Sequence, residues 1–160
     1  MIPITHLEVV TDRMIEGPKE GIIDTARRAA EWAAPLFSKS GREMFYVGLI
    51  NNACEPLAAE MVALGGKSEC CIDISCVFQQ AVLTGASAII CFHNHPSGRV
   101  TPSEEDLRVT RRLKWAGDLL NVKLADHIII GRNDYYSFRE HNKWEEGVAD
   151  EETDFDSWSG

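Results

Sequence analysis

The sequence predicts an α/β protein, a single-domain α-β-α sandwich built around a mixed β-sheet. Three observations point there. Segments with helical and strand patterning alternate along the chain, the arrangement that places helices over both faces of a sheet. Ser87 to Phe92 is a continuous apolar run, as expected of a central strand buried on both faces. The length of 160 residues and the hydrophobic fraction of 44% suffice for one substantial core without staples.

In order, Ile4 to Val10 is a short β-type run, expected as an edge strand. Pro18 to Phe37 has helical spacing, with Ile22, Ile23, Ala26, Ala29, Ala30, Ala33 and Leu36 on one face. Pro18 suits a first helical turn, where its missing N–H has no partner to lose. Glu43 to Ile50 reads as an apolar strand. Leu57 to Leu64 is ambiguous, since Ala and Met favour helix while the flanking turn signals favour a strand; the strand is preferred. Ser75 to Thr84 is a short helix with Val77, Ala81 and Val82 inward, ended by Gly85. After the central run comes a histidine loop. A helix then spans Ser103 to Leu120, with Leu107, Thr110, Leu113 and Ala116–Gly117 inward. Strands over Val122–Ile130 and Tyr135–Phe138 flank a turn at Gly131–Asp134. Residues 1–144 make the domain, and 145–160 form an acidic tail expected to be mobile.

Charge and cysteine usage narrow the function classes. The formal net charge is −9, but Glu145 to Gly160 holds seven acidic residues and no Lys or Arg. Without that tail there are 18 acidic against 16 basic residues, so the body is nearly neutral and direct nucleic-acid binding is not supported. Arg111, Arg112 and Lys114 form a basic stripe read as a solvated helix face. The five cysteines (Cys54, Cys70, Cys71, Cys76 and Cys91) have no C-x-x-C spacing and read as reduced, structural thiols. With no basic-then-apolar leader and no run of ~18–20 apolar residues, the expected location is the cytoplasm, away from any membrane.

The chemistry is concentrated in residues 93–106, His-Asn-His-Pro-Ser-Gly-Arg-Val-Thr-Pro-Ser-Glu-Glu-Asp. His93 and His95 emerge at the end of the central strand, the usual place for sites in α/β sheets. Pro96-Ser97-Gly98 turns the chain back, so that Asp106, in the first turn of the next helix, can face the same point. Two imidazoles and a carboxylate make three ligands for a zinc ion with a fourth position open, the mark of a catalytic site. The plainer reading of Ser103–Asp106 is a capping box, and the two roles are compatible.

His93-x-His95-Pro96, six residues, Ser103, two residues, Asp106 resembles the JAMM signature of the JAB/MPN metalloprotease family. His93–Gly98, Thr110–Lys114, Asp126–Gly131 and Tyr136–Phe138 more closely resemble its bacterial RadC-like branch, and the similarity runs from about Arg42 to Glu140. The resemblance implies a JAB/MPN fold, similar to that of cytidine deaminases. It also implies a catalytic domain standing alone, without the helix-hairpin-helix region that RadC proteins often carry. It implies one zinc ion per chain held by His93, His95 and Asp106. The general base is expected at Glu43, where Arg42-Glu43-Met44-Phe45 matches the RadC pattern, and an oxyanion donor at Ser103. Asp126-His127 reads as a buried structural pair in preference to one that orients a ligand.

The function implied is a zinc-dependent hydrolase of amide bonds, a metallopeptidase or isopeptidase acting on a peptide or protein. A zinc deaminase needs H-x-E together with P-C-x-x-C, and that combination is absent. The alternative from another class is a DNA-repair-associated accessory protein with a structural metal site. A metal-free scaffold is disfavoured because all three ligands are present.

Overall fold

Residues 2, 6, 8–38, 41–65 and 72–143 are described by the computed structural model. The elements run α1 (Ala26–Phe37), β1 (Met44–Ile50), β2 (Pro56–Leu64), α2 (Ile74–Thr84), β3 (Ala88–Asn94), α3 (Glu104–Leu120), β4 (Lys123–Ile130) and β5 (Tyr135–Ser137). The sheet order is β2-β1-β3-β4-β5. Only β3 and β4 pair in parallel, through α3 as the crossover; the other neighbours are antiparallel. The expected mixed sheet between helical layers is therefore present, with β3 at its centre.

The side-chain period of two divides the core into two layers. Phe45, Val47, Leu49, Ile89, Cys91 and Ile129 meet Val77 and Phe78 of α2 and Val109 and Leu113 of α3. Met44, Tyr46, Ile50, Ile90, Phe92, Ile128 and Ile130 meet the alanine-rich face of α1, together with Trp32 and Phe37. The close approach of α1 has a cause in β1. A Cβ on Gly48 would stand 2.7 Å from the Trp32 ring and 3.1 Å from Phe92, so only glycine leaves room for the indole.

Several expected boundaries shift. The first helix begins at Ala26, not Pro18. Gly21 takes a left-handed backbone (φ 77°) that breaks the helical path, and the Ile23 N–H is bonded to the Cys54 carbonyl at 2.7 Å. Thr25 then caps the helix by accepting from the Arg28 N–H. On α2, Val82 points to solvent and Phe78 takes the inward place. Gly85 ends that helix in a left-handed conformation (φ 68°), as expected. The ambiguous segment is an edge strand that opens on Pro56, a position where a missing ladder donor is tolerated.

In the segment expected as an edge strand, His6, Glu8, Val9 and Val10 form none; the remaining residues of Ile4–Val10 lie outside the described residues. So do Cys70, Cys71 and the acidic tail. Cys54, Cys76 and Cys91 are free thiols. No helix among the described residues is long and apolar enough to cross a membrane.

Candidate metal centre

The site forms where the carboxyl end of β3 meets the first turn of α3. His93 and Asn94 remain in the strand, with only His95 in the loop that follows, because pairing with β4 continues to Asn94 opposite Ile130. His93 thus shares the face of Ile89 and Cys91 and points under α3, with its side chain 2% exposed. His95 lies on the rim, 18% exposed.

Asp106 reaches the same point from α3. Ser103 caps that helix in a full capping box: its Oγ accepts from the Asp106 N–H at 3.1 Å, while Asp106 Oδ2 accepts from the Ser103 N–H and hydroxyl, both at 2.7 Å. The carboxylate held in this way also faces the imidazoles. His93 Nε2 is 3.0 Å from Oδ1, His95 Nε2 is 3.2 Å from Oδ2, and the two nitrogens are 3.1 Å apart. Capping and convergence on one point are combined in a single residue.

Whether these groups suit a metal can be judged from their lone pairs. His95 Nδ1 lies 2.9 Å from the Arg99 carbonyl, which can only accept, so Nδ1 carries a proton and Nε2 faces the site bare in the neutral ring. A bare nitrogen against a carboxylate repels it, and the conflict is relieved only by a cation, a proton or a metal ion. Burial alone would raise the Asp106 pKa, yet the adjoining His93 and His95 rings and the Ser103 N–H outweigh it and hold the carboxyl far below its usual range. The His95 pKa is raised chiefly by its hydrogen bond to Asp106, with a smaller contribution from the charge of Glu43. The ligand atoms of His93, His95 and Asp106 all lie within 4.8 Å of one another, so the three can hold a metal ion.

Glu43 sits one residue before β1, half-buried, and its charge acts on His95. Its backbone is held on both sides. Asn94 Nδ2 donates to the Arg42 carbonyl at 3.0 Å and Asn94 Oδ1 accepts from the Met44 N–H at 2.8 Å. The Glu43 carbonyl accepts from the Gly65 N–H at 2.7 Å. Asn94, the residue between the two histidines, therefore replaces the β1–β3 ladder where it ends at Phe45 opposite His93. Glu43 continues the face of Phe45, and hence of His93.

Residues 23–144 match the profile of the RadC-like JAB domain. The chain belongs to the RadC-like JAB domain family. A UPF0758 protein of Flavobacterium johnsoniae is 34% identical over 116 residues, covering 72% of this chain and 51% of that protein. A UPF0758 protein of Coprothermobacter proteolyticus is 37% identical over 126 residues, covering 76% and 54%. One of Alkaliphilus metalliredigens is 44% identical over 99 residues, covering 62% and 43%. The chain spans about half the length of the curated relatives it matches.

This RadC-like JAB domain brings together His93, His95, Asp106 and Ser103 of the residues expected at the site, and the charge of Glu43 acts on His95. It adds three that the sequence reading did not place at the site. Asn94 is one. The others are His127, whose Nε2 lies 2.9 Å from His93 Nδ1, and Thr110, whose Oγ lies 2.6 Å from His127 Nδ1. Asp126–His127 is buried as expected, but His127 is also in contact with His93. The reason lies in a β-bulge. Ile89 pairs with Leu124 and Ile90 with Asp126, so Ala125 is the extra residue and His127 turns to the α3 side. Asp126 accepts from the Ser137 hydroxyl at 2.6 Å and from the His127 and Arg139 N–H groups at 2.8 and 3.1 Å, pinning the bulge. Burial raises the Asp126 pKa and drives that of His127 well below its ordinary value, so His127 is neutral.

Proposed function

We propose that the domain is a zinc-dependent hydrolase of amide bonds, a metallopeptidase with a peptide or protein substrate. The observation that carries this reading is the convergence of two imidazole nitrogens and one carboxylate, with the charge of Glu43, one residue before the neighbouring strand, acting on His95. Zinc bound by His93, His95 and Asp106 would supply a Lewis acid able to lower the pKa of water from about 15.7 toward 7. Zinc suits this donor set, which is borderline-soft and small in number, better than an oxygen-seeking cation does.

The remaining work falls to the chain. The Glu43 carboxylate takes the proton of the attacking water as its oxygen bonds to the carbonyl carbon, and returns it to the amine nitrogen as the C–N bond breaks. The Ser103 hydroxyl donates to the former carbonyl oxygen as charge develops there. That donation requires the hydroxyl to turn away from Asp106 Oδ2, and the Ser103 N–H stays on that oxygen while it does. A groove lined by Trp32, Phe37, His95, Pro96, Gly98 and Arg132 opens beside His95.

The test is metal content and peptide hydrolysis measured on the same preparations. Wild type is expected to hold one zinc, with His95→Ala and Asp106→Ala losing it. Glu43→Gln should retain zinc and lose turnover. Ser103→Ala separates two roles: an oxyanion donor predicts a loss of on the order of 10²–10³-fold in kcat, whereas a cap alone predicts ~1 kcal/mol of stability with little change in turnover. Zinc retained in both ligand variants would exclude the site, and undiminished turnover in Glu43→Gln would exclude the base.

A further inference from the structure

We propose that Thr110 and His127 form a hydrogen-bond relay that fixes the tautomer of His93 and thereby sets the affinity of the centre for a divalent metal. The relay rests on reading His93, His95 and Asp106 as ligands, and it assigns a positioning role to two residues outside that set.

The direction of every bond follows from the one group that cannot donate. Thr110 Oγ is 2.6 Å from the Asp106 main-chain carbonyl, one helical turn earlier, and that oxygen only accepts. The hydroxyl proton must lie between them. Thr110 Oγ is then an acceptor toward His127 Nδ1 at 2.6 Å, so that nitrogen carries the proton. His127 is buried among Phe45, Phe138 and His93, stacked on Phe138 with centroids 4.8 Å apart, and among the described residues its other nitrogen meets only His93 Nδ1, at 2.9 Å. His127 Nε2 accepts, His93 Nδ1 donates, and His93 Nε2 is left to face Asp106 Oδ1 at 3.0 Å. The chain of contacts closes on itself: Asp106 begins it with its carbonyl and ends it with its carboxylate. Three elements, β3, β4 and α3, are tied by one chain of hydrogen bonds that stays open only where the bare His93 Nε2 faces the Asp106 carboxylate, the gap a cation would fill.

His95 obtains the same result more simply, from the Arg99 carbonyl. His93 lies under α3, and the main-chain carbonyl that enters its network is that of Asp106, reached through Thr110 and His127. Thr110 carries that carbonyl's accepting character outward, and His127 spans the remaining distance. Groups one shell out from a ligand commonly change metal affinity by about 10–100-fold when removed.

The tautomers can be read directly by long-range proton–nitrogen correlation NMR on histidine-labelled protein, free of metal and with zinc. In wild type His127 is expected with Nδ1 protonated and Nε2 bare in both states. Thr110→Val keeps the shape but removes the hydroxyl, and is expected to weaken zinc binding by roughly 10–100-fold in a chelator competition. Thr110→Ser should restore both the tautomer and the affinity. A wild-type His127 protonated at Nε2 would overturn the relay, and that spectrum needs no variant to fold. Zinc affinity and tautomers left unchanged in Thr110→Val would overturn it as well. If the tautomers and affinities follow the relay while no peptide is cleaved, the hydrolase reading fails and the relay stands. If wild type binds no zinc, both fail.

Discussion

At the scale of single residues, the centre sets up opposite pH dependences for the empty and the loaded chain. In the metal-free protein, His95 has its pKa raised by Asp106. A histidine raised above its unfolded value of ~6.5 contributes stability that is fully present below that pH and is lost as pH climbs through the folded value. Asp106 is displaced the other way, so its contribution is present above ~3.9 and disappears only in strong acid. The His95–Asp106 pair therefore stabilises the metal-free chain most between these limits. The difference in thermal midpoint between metal-free wild type and Asp106→Asn is expected to be largest near pH 5–6 and to shrink toward pH 9, since the pH-independent loss of the capping carboxylate is common to both ends. Zinc reverses the sign, because it must displace the same proton, so its affinity should rise over the same interval. A wild-type advantage that grew with pH in the absence of metal would contradict the raised His95.

At the scale of elements, the room left by a missing side chain at Gly117 sets how closely α3, which carries Asp106 and Thr110, packs on the start of β4. A Cβ on Gly117 would lie 2.5 Å from the Val122 carbonyl oxygen and 3.3 Å from the Leu124 nitrogen, both backbone atoms where β4 begins. Helix propensity alone favours Ala over Gly by ~1 kcal/mol. Overpacking typically costs about 1–3 kcal/mol, and the contact cannot relax, because the Val122 N–H is bonded back to the Gly117 carbonyl at 2.9 Å. Gly117→Ala should therefore lower stability by about 1–2 kcal/mol in urea unfolding; a neutral or stabilised variant would show that the helix can lift away freely. Such constraints also mark what the sequence could and could not disclose. The buried strand over Ala88–Asn94, the cap at Ser103 and the Gly85 stop were legible because each depends on local chemistry. His93, His95 and Asp106 were legible because thirteen intervening bonds of turn and helix start bring them together whatever the rest of the chain does. His127 was not, because a single bulged residue, Ala125, reverses which face it occupies, and no local pattern announces a bulge. Pro18 misled for a related reason: a residue suited to a first helical turn does not require one, and Gly21 and the Ile23–Cys54 bond claimed the backbone instead.

At the scale of the whole molecule, the centre is a junction. The three candidate ligands come from the end of the central strand, the loop that follows it and the helix that crosses over to the next parallel strand, and the proposed base, Glu43, immediately precedes the neighbouring antiparallel strand. The two core layers are separated by the sheet, and the centre closes the open end of only one of them, the layer under α2 and α3. A metal bound there crosslinks β3 to the first turn of α3 and removes the repulsion between bare imidazole nitrogens and the Asp106 carboxylate. Binding to the folded chain alone stabilises it by ~4.1 kcal/mol when the free metal stands at about a thousand times its Kd. For a domain of this size that corresponds to a rise in Tm on the order of 10 °C. Zinc-loaded protein should thus unfold on the order of 10 °C above chelator-treated protein, with amide exchange slowed most in the first turn of α3 and at the end of β3. The α1 layer, on the far side of the sheet, should gain only what global unfolding confers. A zinc-dependent rise spread evenly over both layers would mean that the ion binds elsewhere or that the junction is already rigid without it, and no rise at all would mean that the folded chain does not bind the ion in preference to the unfolded one. The local pattern distinguishes those two, since binding elsewhere would protect a different set of amides.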